Sequence, residues 1–183
     1  MRTLKTRFSA EEILHLPTTG RRLELVKGKV YEMPPAGGRH GSVAMRIGFV
    51  LAEYVRANNL GEVFAAETGF ILHRDPDTVR APDASFVAAG RLPDGELPVG
   101  YMELAPDLAV EVTSPNDRAS EIEDKVEGWL LAGVKLVWVI NPSTRSAMVY
   151  RSLDESERIS PEDSLDGGDV IPGFSTEIRE LFS

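Results

Sequence analysis

The sequence predicts a mixed α/β domain, a central β-sheet of strands and hairpins flanked by two principal helices. Three observations carry that expectation. A long stretch from about His40 to Asn58 repeats apolar residues at three- and four-residue steps. Several short β-branched runs alternate with turn residues. A second helical stretch, Asp117 to Ala132, lies between two strongly apolar runs.

Along the chain, Ser9-Ala10-Glu11-Glu12 before Ile13-Leu14 has the capping-box pattern, and Pro17 is expected to close the short helix it starts. Arg22–Val26 and Lys29–Met33, separated by Lys27-Gly28, read as a β-hairpin. Pro34-Pro35-Ala36-Gly37-Gly38 breaks the chain into a loop. In the long helix that follows, Val43, Ile47, Val50, Leu51, Tyr54 and Val55 form the apolar stripe, and Gly61 marks its end. Glu62–Ala66, Gly69–His73 and Arg80–Ala88 read as three strands, with Asp75-Pro76-Asp77 turning the chain between the last two. Residues 90–106 read as an irregular loop rich in Gly and Pro. Asp107–Thr113 is a strand, Asp117–Ala132 a helix ended by Gly133, and Val134–Ile140 a strand that Asn141-Pro142-Ser143-Thr144 turns back into Ala147–Arg151. The acidic segment Asp154–Asp169 is expected to be a surface excursion containing at most short strands, and a capped helix over Thr176–Phe182 to end the chain.

Length and composition set limits. With 183 residues, 42% of them hydrophobic, one domain spanning 1–183 with one sizeable core is the expectation. The absence of Cys excludes disulfides, thiolate zinc sites and cysteine nucleophiles, and fits a reducing cytoplasm. No run approaches the ~20 apolar residues of a membrane helix, so a soluble cytoplasmic protein is expected. A net charge of −9 argues against indiscriminate coating of nucleic acid. That average conceals an asymmetry: residues 1–56 hold ten Lys/Arg against five acids, a local +5, which leaves −14 for the remainder. A basic patch facing phosphate on an acidic body is permitted by this pattern, as is ordinary solvated charge.

The residues that bear chemistry begin with Glu111. In Asp107-Leu108-Ala109-Val110-Glu111-Val112-Thr113 the alternation puts Leu108, Val110 and Val112 on one face and Glu111 on the other. A carboxylate in mid-strand is expensive to desolvate unless it is paired, hydrogen-bonded or bound to a metal, and the alternative is a half-exposed strand. Asp83 is a second acid in an awkward place, beside Pro82 within a strand pattern. Two such carboxylates on neighbouring strands repel unless a cation lies between them, and Mg²⁺ is commonly held by one or two carboxylates. On the following helix, with ~100° per residue and Ile122 at zero, Val126, Trp129 and Leu130 form the buried stripe and Lys125 falls near −60°. Lys125 therefore borders the core and can reach toward Glu111, or else pair with Glu121 one turn away.

Several segments together resemble a bacterial restriction-endonuclease family of the PD-(D/E)xK superfamily. They are Leu23-Glu24-Leu25-Val26-Lys27-Gly28-Lys29, the Pro34–Gly38 run with His40, Ala81–Val87, Asp107–Asp117, Lys125, Ala132-Gly133-Val134 and Val137–Pro142, in that order. The resemblance runs from about Glu11 to the C-terminus. It implies a restriction-endonuclease-like core, hydrolysis of phosphodiester bonds in nucleic acid, DNA in the first instance, and Mg²⁺ or Mn²⁺ as cofactor. By position Asp83 and Glu111 match the signature acids and metal ligands. The signature lysine, two residues after the second acid, is replaced by Thr113, and Lys125 matches a lysine moved to the helix.

Glu24 matches an acidic position near the hairpin, which by the resemblance is a catalytic-site residue that ligates a metal or orients water, although an exposed hairpin residue is an equal reading of the residues alone. His40 at a helix start could contact a phosphate, but a capping or packing role is the commoner one. His15 and His73 lack zinc-ligand spacing relative to it. Trp129, Trp138 and Tyr54 lie on apolar stripes and read as core. The rival to a nuclease is a non-catalytic binding domain of the same fold; a third reading is an enzyme acting on a small phosphate-containing substrate. Oligomeric state is left open, although a homodimer would let one site address each strand of a duplex.

Overall fold

A computed structural model describes residues 7–16, 22–94 and 96–183. The Ser9 capping box is formed, with the Ser9 hydroxyl accepting from the Glu12 backbone N–H and the Glu12 carboxylate accepting in return, and it starts α1 (Ala10–Leu14). Pro17 lies outside the described residues. The hairpin forms as expected from β1 (Arg22–Val26) and β2 (Lys29–Met33). Its turn places Lys27 at φ 50° and Gly28 at φ 78°, both left-handed, as a two-residue hairpin turn requires. With β4 (Phe70–His73) and β5 (Thr78–Arg80) the hairpin makes a four-stranded sheet in the order β2-β1-β5-β4.

A second sheet has six strands in the order β10-β9-β8-β7-β6-β3. These are β3 (Gly61–Ala65), β6 (Ala84–Ala88), β7 (Leu108–Val112), β8 (Leu136–Asn141), β9 (Ser146–Tyr150) and β10 (Ser156–Ile159). Within this sheet, among the described residues, β7 and β8 are the pair that run parallel, because α3 (Ala119–Leu131) carries the chain back across the sheet between them. The helix α2 (Gly38–Ala57) buries Val43, Ile47, Leu51 and Val55 against the face of β7 that shows Leu108, Val110 and Val112. On the opposite face, Val126 and Trp129 of α3 pack with Ala109, Val137 and Val139. β7 is thus buried on both sides, which puts Glu111 in the interior rather than on a solvated face.

Three expectations change. The strand expected over Arg80–Ala88 is two strands: β5 belongs to the small sheet and β6 to the large one, with Ala81-Pro82-Asp83 carrying the chain between them. Pro82 has no N–H to give to a ladder, so pairing breaks there and the chain can change sheets. The segment Asp154–Asp169 is only partly a surface excursion. The short strands allowed for do form, with β10 extending the large sheet, but Leu165 of β11 (Ser164–Asp166) is fully buried with Ile171 and Phe174 in the α2-side core. Last, residues 175–182 form β12 (Ser175–Glu177), paired with β11, and a 3₁₀ turn over Ile178–Phe182 with no side-chain cap. Ile178 and Leu181, three apart, are both buried, and 3₁₀ spacing aligns them on one side. Among the described residues no helix is long and apolar enough to cross a membrane.

Candidate functional site

The seam between the two sheets gathers the candidate residues. Asp83 leaves the Pro82 link just ahead of β6 and lies across β7 from both sides of Glu111. Its backbone N–H donates to the Val110 carbonyl at 2.9 Å, and its carboxylate Oδ2 accepts from the Val112 N–H at 2.8 Å. The His40 Nε2, from the first turn of α2, is 3.1 Å from the same Oδ2, and Arg22 Nη1 is 3.6 Å from Oδ1. Burial pushes the Asp83 carboxyl up, but His40, the Val112 N–H and Arg22 together pull it lower still, so its net shift is below the ordinary carboxylate value. His40 moves the opposite way, above its ordinary value, because its hydrogen bond to Asp83 outweighs the burial of its ring.

Glu111 is held from the α3 side. Lys125 Nζ donates to Oε2 at 2.7 Å, and the Trp129 indole N–H donates to Oε1 at 2.9 Å. Lys125 therefore reaches Glu111 as the helical angle allows, while Glu121 instead accepts from the Arg118 backbone N–H at the start of the helix. Burial drives the Glu111 carboxyl above its ordinary value against the pull of Lys125, and the negative charges of Asp83 and Glu24 add to the rise. Burial acts to lower the Lys125 ammonium, but Glu111, Glu24 and Asp83 more than compensate and hold it charged.

Glu24 is 3% exposed, which removes the exposed-hairpin reading. Arg80 Nη1 donates to its Oε2 at 3.2 Å and Arg22 Nη2 to its Oε1 at 3.4 Å. The site thus sets three buried carboxylates, Glu24, Asp83 and Glu111, among Arg22, Arg80, Lys125 and His40. The repulsion expected between bare carboxylates is already relieved by these cations. Two further donors, His40 Nδ1 and Arg22 Nε, are buried with no hydrogen-bond partner among the described residues.

Sequence reasoning missed three members. Arg22 and Glu24 sit two apart on one strand, and period-two spacing alone puts them on one face. Arg80 stands between the apolar Val79 and Ala81, a charge in a buried run that calls for a partner. Trp129 lies one turn beyond Lys125, so a helix that aims one at Glu111 presents the other beside it. The reading of Trp129 as core is correct for its ring, which is fully buried, but incomplete for its N–H.

As to a metal, Asp83 and Glu111 offer hard carboxylate oxygens, the donor class that Mg²⁺ and Mn²⁺ take. No group of three or more His, Cys, Asp or Glu poised to hold a metal occurs among the described residues. The donor set fits a cation held by one or two carboxylates and completed by water and substrate phosphate. It does not fit an ion caged by protein alone.

Comparison with known proteins bears on this geometry. A family model described as "Uma2: Putative restriction endonuclease" matches residues 10–179. The chain belongs to the Uma2 family. A crystal structure of "a putative nuclease belonging to DUF820" from Anabaena variabilis ATCC 29413 superposes with a TM-score of 0.81 at 23% identity, covering 96% of this chain and 97% of that one. At that identity the likeness is one of fold: the Uma2 chain shares the mixed α/β architecture of that structure. No curated protein matches the chain.

Proposed function

We propose that this Uma2 protein is a Mg²⁺- or Mn²⁺-dependent endonuclease that hydrolyses phosphodiester bonds in DNA, with Asp83 and Glu111 as metal ligands and Lys125 as the catalytic cation. The observation that carries the reading is the 2.7 Å contact of Lys125 Nζ with Glu111 Oε2, made from a different element. It puts an ammonium beside the second acid, although the chain has Thr113 where the superfamily lysine stands. A bound divalent ion would supply Lewis-acid polarisation of the phosphate and acidify a water. Asp83 and Glu111, presented from adjacent strands, would hold it.

Lys125 contributes charge at a stated atom. Glu111 occupies one of the three donors of Nζ, and the others remain for an oxygen that gains negative charge in the transition state. Glu24 is placed as a positioning residue: it fixes Arg22 and Arg80 and adds to the field that keeps Lys125 protonated. His40 is the candidate substrate contact. Held by Asp83 through Nε2, its partly exposed ring stands at the first turn of α2, where no side chain caps the helix and the backbone N–H groups favour a phosphate oxygen.

One observation favours a non-catalytic domain: the acids are already neutralised by cations of the chain. Mn²⁺-dependent nicking of supercoiled plasmid and single-stranded DNA separates the readings. The wild type is expected to nick, and Asp83→Asn and Glu111→Gln, purified identically, to lose the activity. Equal activity in all three preparations, or none in the wild type, would reject the enzyme.

A further inference from the structure

A second basic feature lies beside the acidic seam. A cleft of about 500 Å³ runs between the first turns of α2, the β8–β9 turn and the C-terminal 3₁₀ turn. Arg39 and Arg46 line it from α2, and Arg145 from the β8–β9 turn, with Ser42 and Ser143 between them. No Asp or Glu lines it, although acids outnumber Lys and Arg by 29 to 20 in the chain. Arg39 and Arg145 are exposed and have no acidic partner among the described residues, whereas Arg46 donates to the Leu181 carbonyl at 3.3 Å and is held in place. Like charges gathered with no acidic side chain among them repel one another, so an anion that enters the cleft stabilises the cluster.

The cleft adjoins the seam through a single turn of helix. Arg39 precedes His40, whose ring reaches Asp83, and Arg46 follows two turns later, ~10 Å along the axis. From the other side, Arg145 sits in the left-handed region at φ 52°, a conformation natural to Gly or Asn. Asn141 Oδ1 accepts from the Ser143 and Thr144 N–H groups and sets this turn. A long cationic side chain therefore occupies a position where the backbone favours none.

We propose that the Arg39–Arg46–Arg145 cleft binds a backbone phosphate of the nucleic-acid substrate next to the scissile one, and so sets the register of the strand over the acidic seam. The inference rests on the nuclease reading for its substrate, but its test is separate from cleavage. Positioning through phosphate contacts carries no sequence preference, so the effect should be the same on unrelated duplexes.

The experiment measures fluorescence anisotropy of a labelled DNA duplex against salt, with Glu111→Gln as a background silenced for the proposed cleavage. Adding Arg39→Gln or Arg145→Gly is expected to reduce the slope of log K against log salt, by no more than about 0.9 even when the two are combined, the value for one phosphate contact on B-DNA. Arg158→Gln, on exposed β10, is the control for charge alone and should leave the slope unchanged. Because Gly suits the backbone at position 145, Arg145→Gly should melt no lower than its parent, which separates lost contact from lost fold. The proposal is overturned if the background protein does not bind the duplex at low salt, if the slopes of the cleft variants are unaltered, or if the control shifts equally. Inorganic phosphate supplies the second arm: phosphate-dependent protection that Arg145→Gly removes, with duplex slopes unaltered, would assign the cleft to a free phosphate ester and overturn it too. Plasmid nicking judges the nuclease reading independently of these outcomes.

Discussion

Replacing Lys125 by Met keeps most of the buried aliphatic stem and removes only the ammonium from Glu111. At the observed 2.7 Å, the gross attraction is ~6 kcal/mol for an effective dielectric of ~20, and desolvation of both groups offsets a large part of it. A ceiling on the loss comes from Glu111 itself, which can take up a proton rather than stay buried and unpaired. Neutralising a carboxyl of ordinary pKa at pH 7 costs about 3.7 kcal/mol. Burial has already raised Glu111, so the real loss is smaller; losing a hydrogen bond to a charged group typically costs about 2–3 kcal/mol. For a chain of this size that lowers the melting midpoint by roughly 4–12 °C. The pH dependence gives the sharper signature. A carboxyl whose folded pKa is raised destabilises the fold above its unfolded pKa, so the gap between variant and wild type should narrow to ~1 kcal/mol at pH 5. Thermal melts followed by circular dichroism at pH 5 and pH 8 measure it. A loss below ~0.5 kcal/mol, equal at both pH values, is the behaviour of a solvated lysine and would refute the buried pair.

Asp83→Asn keeps an oxygen for the Val112 N–H but loses the charge that holds His40 and Arg22; calorimetry without metal should record a loss of ~1–3 kcal/mol. The His40–Asp83 pair makes a second, bounded contribution. His40 is raised, so its share is complete below its unfolded pKa and is lost as pH rises through the folded one; Asp83 is lowered, so its share is lost only as pH falls through its depressed value. His40→Gln should therefore cost stability at acid and neutral pH and converge on the wild type as pH rises past the folded pKa of His40, as melts across pH 4 to 9 would register. Trp129→Phe removes the indole donor from Glu111 and should destabilise by ~1–3 kcal/mol in urea titrations, with a larger loss at pH 8 than at pH 5.

Much of the fold is legible from period alone. Alternation in Asp107–Thr113 assigns Leu108, Val110 and Val112 to the α2 side, and the α3 angles aim Lys125 along the sheet toward Glu111. The failures have a common physical cause, since each depends on which sheet or core a short segment joins. Arg80–Ala88 reads as continuous strand because Pro82 marks a break in pairing but does not reveal that β5 and β6 belong to different sheets. The acidic run around Leu165 hides a single anchor whose burial depends on Ile171 and Phe174, remote contacts that composition does not encode. The same holds at the site. The acids Asp83 and Glu111 stand out locally as charges in apolar strands, whereas Arg22 and Arg80 gain meaning only once the small sheet is docked.

The central claim is that Asp83 and Glu111 share a divalent cation with Lys125 beside it. Anomalous diffraction from crystals soaked in Mn²⁺ tests this most directly. The account predicts a peak within ~2.0–2.3 Å of a carboxylate oxygen of Asp83 and of one of Glu111, with Lys125 Nζ still on the Glu111 carboxylate and the peak absent from Glu111→Gln crystals. A peak bound elsewhere, or none at a Mn²⁺ concentration that supports nicking, would contradict it.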